Sequence, residues 1–321
     1  MNRLLLCSAI ALVFELPSSS AWATSSALGV NDAGEVVGLY TDGLDIHGFV
    51  GSGTSFTTID APSSFPPFTP RTVLTGINDS GQFVGNQLTG SGPRGFIDTS
   101  GSFTNIVDPL AYFGTTTTSG INDAGAVVGY YTNEAGLNYS GFLYTSGTFT
   151  PVNDPVGYQT QALGINNSGE IVGSTTLPEP HEDVGFLDDG GVFTTISVPM
   201  SSDFGGTVAT DINNEGVIVG YYGSRGGIQG FEYENGSYIT IADPVAPGST
   251  YVSGINDAGE IVGTYFAHGD EFSFVDVGGV FTTLYPPTGI PEPTDWALMV
   301  IGAGGLGAAL RSRRRQVAAT A

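Results

Sequence analysis

The chain has 321 residues, of which 49 are Gly and 18 are Pro, so about a fifth of its positions resist a helix interior and a helix-rich fold is all but excluded. Hydrophobic residues at 40% suffice for a core and argue against disorder. Eight arginines, no lysine and 31 acids give a net charge of −23, which repels phosphate backbones and sets nucleic-acid binding aside.

Residues 1–23 predict a secretory signal. Arg3 supplies the positive start, Leu4–Phe14 the apolar run, and Ala21-Trp22-Ala23 a small-x-small cleavage site, so the mature chain is expected to begin at Thr24 after cleavage behind Ala23. Cys7, the single cysteine, falls inside this segment; the mature chain is expected to carry no thiol, disulfide or Cys-bound metal.

One block then recurs six times. Gly29-Val30-Asn31-Asp32-Ala33-Gly34-Glu35-Val36-Val37-Gly38 is followed by copies starting at Gly76, Gly120, Gly164, Asp211 and Gly254, at spacings of 47, 44, 44, 47 and 43. A period near 45 belongs to propeller blades. Asn-Asp-Ala-Gly between two apolar runs predicts a hairpin on a type I turn with Gly in the left-handed position, Asn and Asp capping their own backbone. The run after the turn, such as Ile171-Val172-Gly173, is apolar on consecutive residues, which predicts a strand covered on both faces. Its repeated glycine (38, 85, 129, 173, 220, 263) is expected to admit a neighbouring sheet. Gly48-Phe49 and its counterparts, then Phe56-Thr57-Thr58-Ile59 and its counterparts, supply two further strands per unit.

The block resembles the extracellular HAF repeat, named for a His-Ala-Phe in its third strand. His47-Gly48-Phe49 comes nearest, with Gly for Ala, and the other copies lack the His. The expected fold is an all-β, six-bladed β-propeller over residues 24–288, closed so that no sheet edge is left free; an open β-solenoid is the runner-up. If Gly-Ile-Asn is the innermost strand, each blade is one sequence unit; if Gly-Phe opens the blade, the first and last copies share one.

Variable loops fall after the Val-Gly strand and between units, and propeller connectivity puts both sets at one end of the ring, where binding usually resides. Phe65, Phe68, Tyr112, Phe113, Tyr158 and Tyr251 lie in them and could stack on sugar rings. Glu179, Glu182 and Asp183, with Asp270 and Glu271 elsewhere, are candidate Ca²⁺ ligands, though they match no EF-hand or RTX spacing; no other cofactor is implied. The three histidines (His47, His181, His268) sit in different units, and the chain has no HExxH, GxSxG or phosphate-cradling loop, so no enzyme is expected. A polysaccharide hydrolase or lyase using a carboxylate pair is the alternative.

Residues 289–316 close the reading. Pro291-Glu292-Pro293 precedes an apolar stretch, 296–310, beginning at Trp296, and then Arg311-Ser312-Arg313-Arg314-Arg315. A short transmembrane helix with its arginines held on the cytoplasmic side is expected. This three-part tail resembles the PEP-CTERM sorting signal of Gram-negative bacteria. The resemblance implies a substrate of an exosortase-type membrane enzyme, anchored transiently through 296–310 and then resident at the cell surface or in the extracellular matrix, in contact with exopolysaccharide.

Overall fold

The computed structural model describes residues 24–42, 45–62, 71–133, 138–179, 181–199 and 205–285. The expected signal segment, its cleavage residue Ala23, and the sorting motif Pro291, Glu292 and Pro293 lie outside the described residues. Among the described residues no helix is long and apolar enough to cross a membrane; the span expected at 296–310 lies outside them.

The fold is all-β. Strands β1 (Ser25–Val30), β2 (Val36–Asp42), β3 (Asp45–Ser52) and β4 (Ser55–Ile59) form an antiparallel meander from one sequence unit. The second unit holds β5 (Thr72–Ile77), β6 (Phe83–Thr89), β7 (Gly92–Thr99) and β8 (Ser102–Ile106); the third holds β9 (Thr116–Ile121), β10 (Val127–Thr132), β11 (Tyr139–Thr145) and β12 (Thr148–Val152). The fourth comprises β13 (Gln159–Ile165), β14 (Ile171–Thr176), β15 (Asp183–Asp189) and β16 (Val192–Ile196). The fifth comprises β17 (Thr207–Ile212), β18 (Ile218–Ser224), β19 (Gly227–Glu234) and β20 (Ser237–Ile241), and the last β21 (Thr250–Ile255), β22 (Glu260–Ala267), β23 (Asp270–Val277) and β24 (Val280–Leu284). Each meander is contiguous in the chain, with the Gly-x-Asn strand at the axis; among the described residues no sheet mixes strands from the first and last units.

The expectation of six separate blades needs a correction. Four meanders stand as separate four-stranded sheets, whereas β5–β8 and β9–β12 join into one eight-stranded sheet through a single parallel bridge, Arg94 to Thr116. The connection between β6 and β7 is short, and a Cβ on Gly92 would lie 2.6 Å from the Thr115 methyl, so only a bare backbone lets the third unit come this close. The first loop set is likewise shorter than expected, because β2 and β3 run to Asp42 and from Asp45.

The turns form as their residues dictate. Gly34 N–H donates to Asn31 O (3.0 Å), Gly34 has φ +72°, and the Asn31 side-chain oxygen accepts from Glu35 N–H at 2.9 Å. Every inner strand also carries a bulge that its sequence does not announce, one residue before the Gly-x-Asn triplet in all but the fifth unit, where Asp211 stands for Gly. Phe49, Phe96, Phe142, Phe186, Phe231 and Phe274 are fully buried and lie opposite Gly38, Gly85, Gly129, Gly173, Gly220 and Gly263 on the preceding strand. A Cβ on Gly38 would sit 2.9 Å from the Phe49 ring. These glycines therefore admit a ring of their own sheet rather than a neighbouring sheet, which corrects the sequence expectation.

The close approach between units is made by other glycines. A Cβ on Gly29 would lie 3.2 Å from Gly76 Cα, one on Gly76 3.3 Å from Gly120 Cα, one on Gly120 3.2 Å from Gly164 Cα, and one on Gly254 3.2 Å from Gly29 Cα. The inner strands thus pack backbone to backbone around a central axis, last against first. The core lies between meanders: Val262 and Leu284 of the last unit share a cluster with Ala27, Val36 and Phe49 of the first.

Candidate functional site

Two ends of the axis differ in chemistry. At the turn end, two hydrogen-bond rings run round the molecule. Asn31 Nδ2 donates to Asn78 O (3.3 Å), Asn78 to Asn122 O (3.0 Å), Asn122 to Asn166 O (3.1 Å), Asn166 to Asn213 O (3.2 Å), Asn213 to Asn256 O (3.2 Å), and Asn256 back to Asn31 O (2.9 Å). The next residue repeats the pattern: Asp32 N–H donates to Asp79 Oδ1, Asp79 to Asp123, Asp123 to Asn167, Asn167 to Asn214, Asn214 to Asp257 and Asp257 to Asp32, all at 2.7–2.9 Å. The Asn side chains cap their own turns as expected. The Asp side chains instead cap the neighbouring unit, which sequence reasoning missed because the partner lies some 45 residues away. Burial, reinforced by the carboxylates of Asp257 and Asp79, pushes Asp32 above the ordinary carboxylate range, and the Asp257 N–H pulls it back.

These residues surround a mouth of about 80 Å³. Below it, sharing Val30, Ile77, Ile121, Ile165 and Asp211 as wall, is an axial cavity of about 40 Å³ that also meets the bulge residues Leu28, Thr75, Ser119, Leu163, Thr210 and Ser253. Asp211 occupies the place that Gly holds in the other five units. Its Oδ2 accepts from Ile255 N–H (3.0 Å) and its Oδ1 from Ile212 N–H (2.9 Å), yet burial pushes its carboxyl up to about 7 against both bonds. The signal in the sequence was the break in the Gly pattern.

The other end carries the inter-unit loops. In three of them an Asp-Pro-x turn recurs: Asp108 Oδ1 accepts from Leu110 N–H (2.8 Å), Asp154 Oδ1 from Val156 N–H (3.0 Å) and Asp243 Oδ1 from Val245 N–H (2.8 Å). A Thr hydroxyl of the next inner strand (Thr116, Thr160, Thr250) clips each loop by accepting the Asp N–H. The apolar tips are left exposed: Leu110 65%, Val156 54% and Val245 60%.

The sequence-derived aromatics divide. Phe65 and Phe68 lie outside the described residues. Tyr112 and Phe113 pack on each other, centroids 4.3 Å apart; Phe113 is 71% exposed and held at φ +50°, a conformation costly for a bulky residue. Tyr158 is exposed and meets His181 edge-on at 6.1 Å, so a loop between units and a loop within one do share this face. Tyr251 is half-buried between Tyr221 and Phe266. Among the described residues, Tyr112 and Phe113, Tyr158, and Tyr251 have separate ring partners rather than one shared cluster.

The acidic candidates divide as well. Glu179 is exposed and 3.5 Å from His181, and Asp183 accepts from the Thr176 hydroxyl at 2.7 Å. Glu182 and Asp270 lie in the loop before β15 and at the start of β23, whereas Glu271 accepts from the Ser26 hydroxyl of the first unit and is raised by burial against that bond. Among the described residues no three His, Cys, Asp or Glu side chains gather into a metal-holding group. His47, the residue nearest the repeat's namesake, stacks on Tyr40 and bonds Asp60 at 3.0 Å through Nδ1.

No family model matches the chain, and no curated protein does. Solved structures do. The propeller domain of the Trilobed protease from Pyrococcus furiosus aligns with a TM-score of 0.55 at 10% identity, over 84% of this chain and 97% of that one. Aleuria aurantia lectin aligns at 0.48 and 14%, over 84% and 97%, and virginiamycin B lyase from Staphylococcus aureus at 0.47 and 14%, over 82% and 84%. The similarity to the first establishes the fold: this chain is a β-propeller.

Proposed function

We propose that this chain is an exported, non-catalytic propeller, delivered by an exosortase-type system to the cell surface or exopolysaccharide, whose loop face binds glycan or another matrix component. Each of the six meanders counts as one blade, the eight-stranded sheet as two. The HAF-type repeat and the tail Pro291-Glu292-Pro293, apolar stretch, arginines support the placement. Replacing Pro291-Glu292-Pro293 should leave the protein in the membrane of a host that carries the sorting enzyme; unchanged release would refute it.

The observation that carries the binding reading is the group of tips on the loop face. Aromatic and apolar side chains (Leu110, Phe113, Val156, Tyr158, Val245) stand out there on loops clipped to a rigid ring, whereas the outer hairpins at the turn end expose valines (Val192, Val277, Val280). A sugar presents an apolar ring face to such tips. The carboxyl pushed to about 7, Asp211, lies in a cavity of about 40 Å³, far below the roughly 300 Å³ a small-molecule pocket needs. A glycan array probed with the secreted protein tests this: binding lost in Phe113→Ala and Tyr158→Ala is expected. Shortening of a polysaccharide by the protein would support the hydrolase or lyase alternative.

A further inference from the structure

We propose that the axial cavity beside Asp211 is a binding site for one hard metal cation of the calcium class, entered through the ring of Asp32, Asp79, Asp123 and Asp257. The inference stands apart from the glycan reading and rests on three observations.

First, the site is built from oxygen. Asp211 brings a carboxylate to a cavity whose lining residues include Ser119, Thr75, Thr210 and Ser253. Second, Ser119 is 5% exposed and its hydroxyl has no hydrogen-bond partner. The equivalent hydroxyls of Thr75 and Thr210 donate to Thr118 O (3.0 Å) and Val252 O (3.1 Å) of the next unit; the Ser119 hydroxyl, buried and without such a bond, leaves an oxygen over for an occupant. A buried hydroxyl without a partner is costly, and a ligand in the cavity recovers that cost. Third, Asp211 lacks a counter-charge: the ion pairs among the described residues are His47–Asp60 and His181–Glu179. A cation would supply it and restore the ionised carboxylate that burial disfavours.

The size agrees. About 40 Å³ holds a bare ion with a water, since one water needs on the order of 10–15 Å³. The acids at the mouth concentrate cations at the entrance. One carboxylate with neutral oxygens makes a weak site, on the order of 10⁻⁴–10⁻³ M, as in extracellular modules.

The test is calorimetric titration of the full chain with CaCl₂, with MgCl₂ and NaCl as parallel arms, followed by long-wavelength anomalous diffraction of calcium-soaked crystals. One calcium per chain and an anomalous peak on the axis beside Asp211 are expected. Asp211→Gly, which restores the residue of the other five units and so preserves the ring, should weaken calcium at least tenfold. Ser119→Ala should weaken it severalfold and leave the melting temperature without calcium unchanged or raised. Asp79→Asn at the mouth should keep the stoichiometry. Unaltered calcium binding in Asp211→Gly, a peak only at the mouth or the surface, a response to NaCl alone, or no heat and no peak would each overturn the proposal.

Discussion

At the scale of the residue, one pair repeats in every unit: a glycine on the second strand and a phenylalanine across from it. In the fourth unit these are Gly173 and Phe186, whose ring would lie 2.9 Å from a Cβ placed on Gly173. Phe186→Ala should cost about 3–5 kcal/mol, the range for emptying an aromatic site in a core; chemical denaturation would measure it, and a loss under 1 kcal/mol would mean the site collapses freely. Asp211 supplies a second prediction, on pH. Folded, its carboxyl titrates near 7; unfolded, near 3.8. Between these values the folded state holds the extra proton, so its contribution is full below about pH 4 and is lost as the pH rises through 7. Asp32, Asp243 and Glu271 are raised as well, with the same sign. In calcium-free buffer the melting temperature should therefore fall from pH 5 to pH 8, and fall less in Asp211→Gly. A parallel slope in the variant would place the titration elsewhere.

At the scale of the element, the Asn-x-x-Gly hairpin does two jobs, and only one was legible. Asn122 Oδ1 accepts from Ala126 N–H at 3.0 Å, closing its own turn, and Gly125 takes φ +75° as the turn demands. Both follow from residues four positions apart. The same side chain's Nδ2 reaches Asn166 O at 3.1 Å, a bond that exists only once two units stand side by side. Asn122→Ala removes both: it strands the buried Ala126 N–H, whereas Asn166 O keeps the Gly169 N–H at 3.1 Å, so a loss of about 2–4 kcal/mol is expected, about 1–3 kcal/mol for the orphaned N–H and about 1 kcal/mol for the lost bond between units. Asn122→Asp keeps the acceptor and should recover the turn's part alone. Equal losses in the two variants would assign everything to the link between units. The bulges were illegible for a different reason: the extra residue does not disturb the apolar pattern, because Leu28, Ser119 and Thr210 face the axis, where apolar and hydroxyl side chains are both tolerated. The exposed loop tips were half legible. Asp-Pro marks the turns, but which aromatics fold back is decided by neighbours such as Tyr221 and Phe266 around Tyr251.

At the scale of the whole molecule, the ring repeats by halves as well as by units. The bulge residues read Leu28, Thr75, Ser119 and then Leu163, Thr210, Ser253. In the second unit Thr89 Oγ1 donates to Gly92 O and in the fifth Ser224 Oγ to Gly227 O, and the parallel bridge of Arg94 with Thr116 has its counterpart in Ile228 with Ser249, whereas the bridge of Ile46 with Arg71, between the first two units, has none among the described residues of the fourth and fifth. Units one to three thus match units four to six in these features, and the backbone approach of unit three on unit four (3.2 Å from a Gly120 Cβ to Gly164 Cα) equals that of unit six on unit one (3.2 Å from a Gly254 Cβ to Gly29 Cα), although Glu271 and Ser273, which bond Ser26 and Ser25, are replaced in unit three by Tyr139 and Gly141. A chain of the first three units alone has one complementary face at each end and cannot close on itself, but two copies can. It should run at twice its chain mass in size-exclusion chromatography, with the circular dichroism of the whole. Two copies of the second half would set two Asp211 side chains across the axis from each other, where the intact ring sets Asp211 across from Gly76. Two like charges in one narrow cavity oppose closure, so this dimer should form only where Asp211 keeps its proton, below about pH 7, or in Asp211→Gly. A first half that stays monomeric, or a second half that pairs equally well at pH 5 and pH 8, would show that the match between halves does not extend to the surfaces that close the ring.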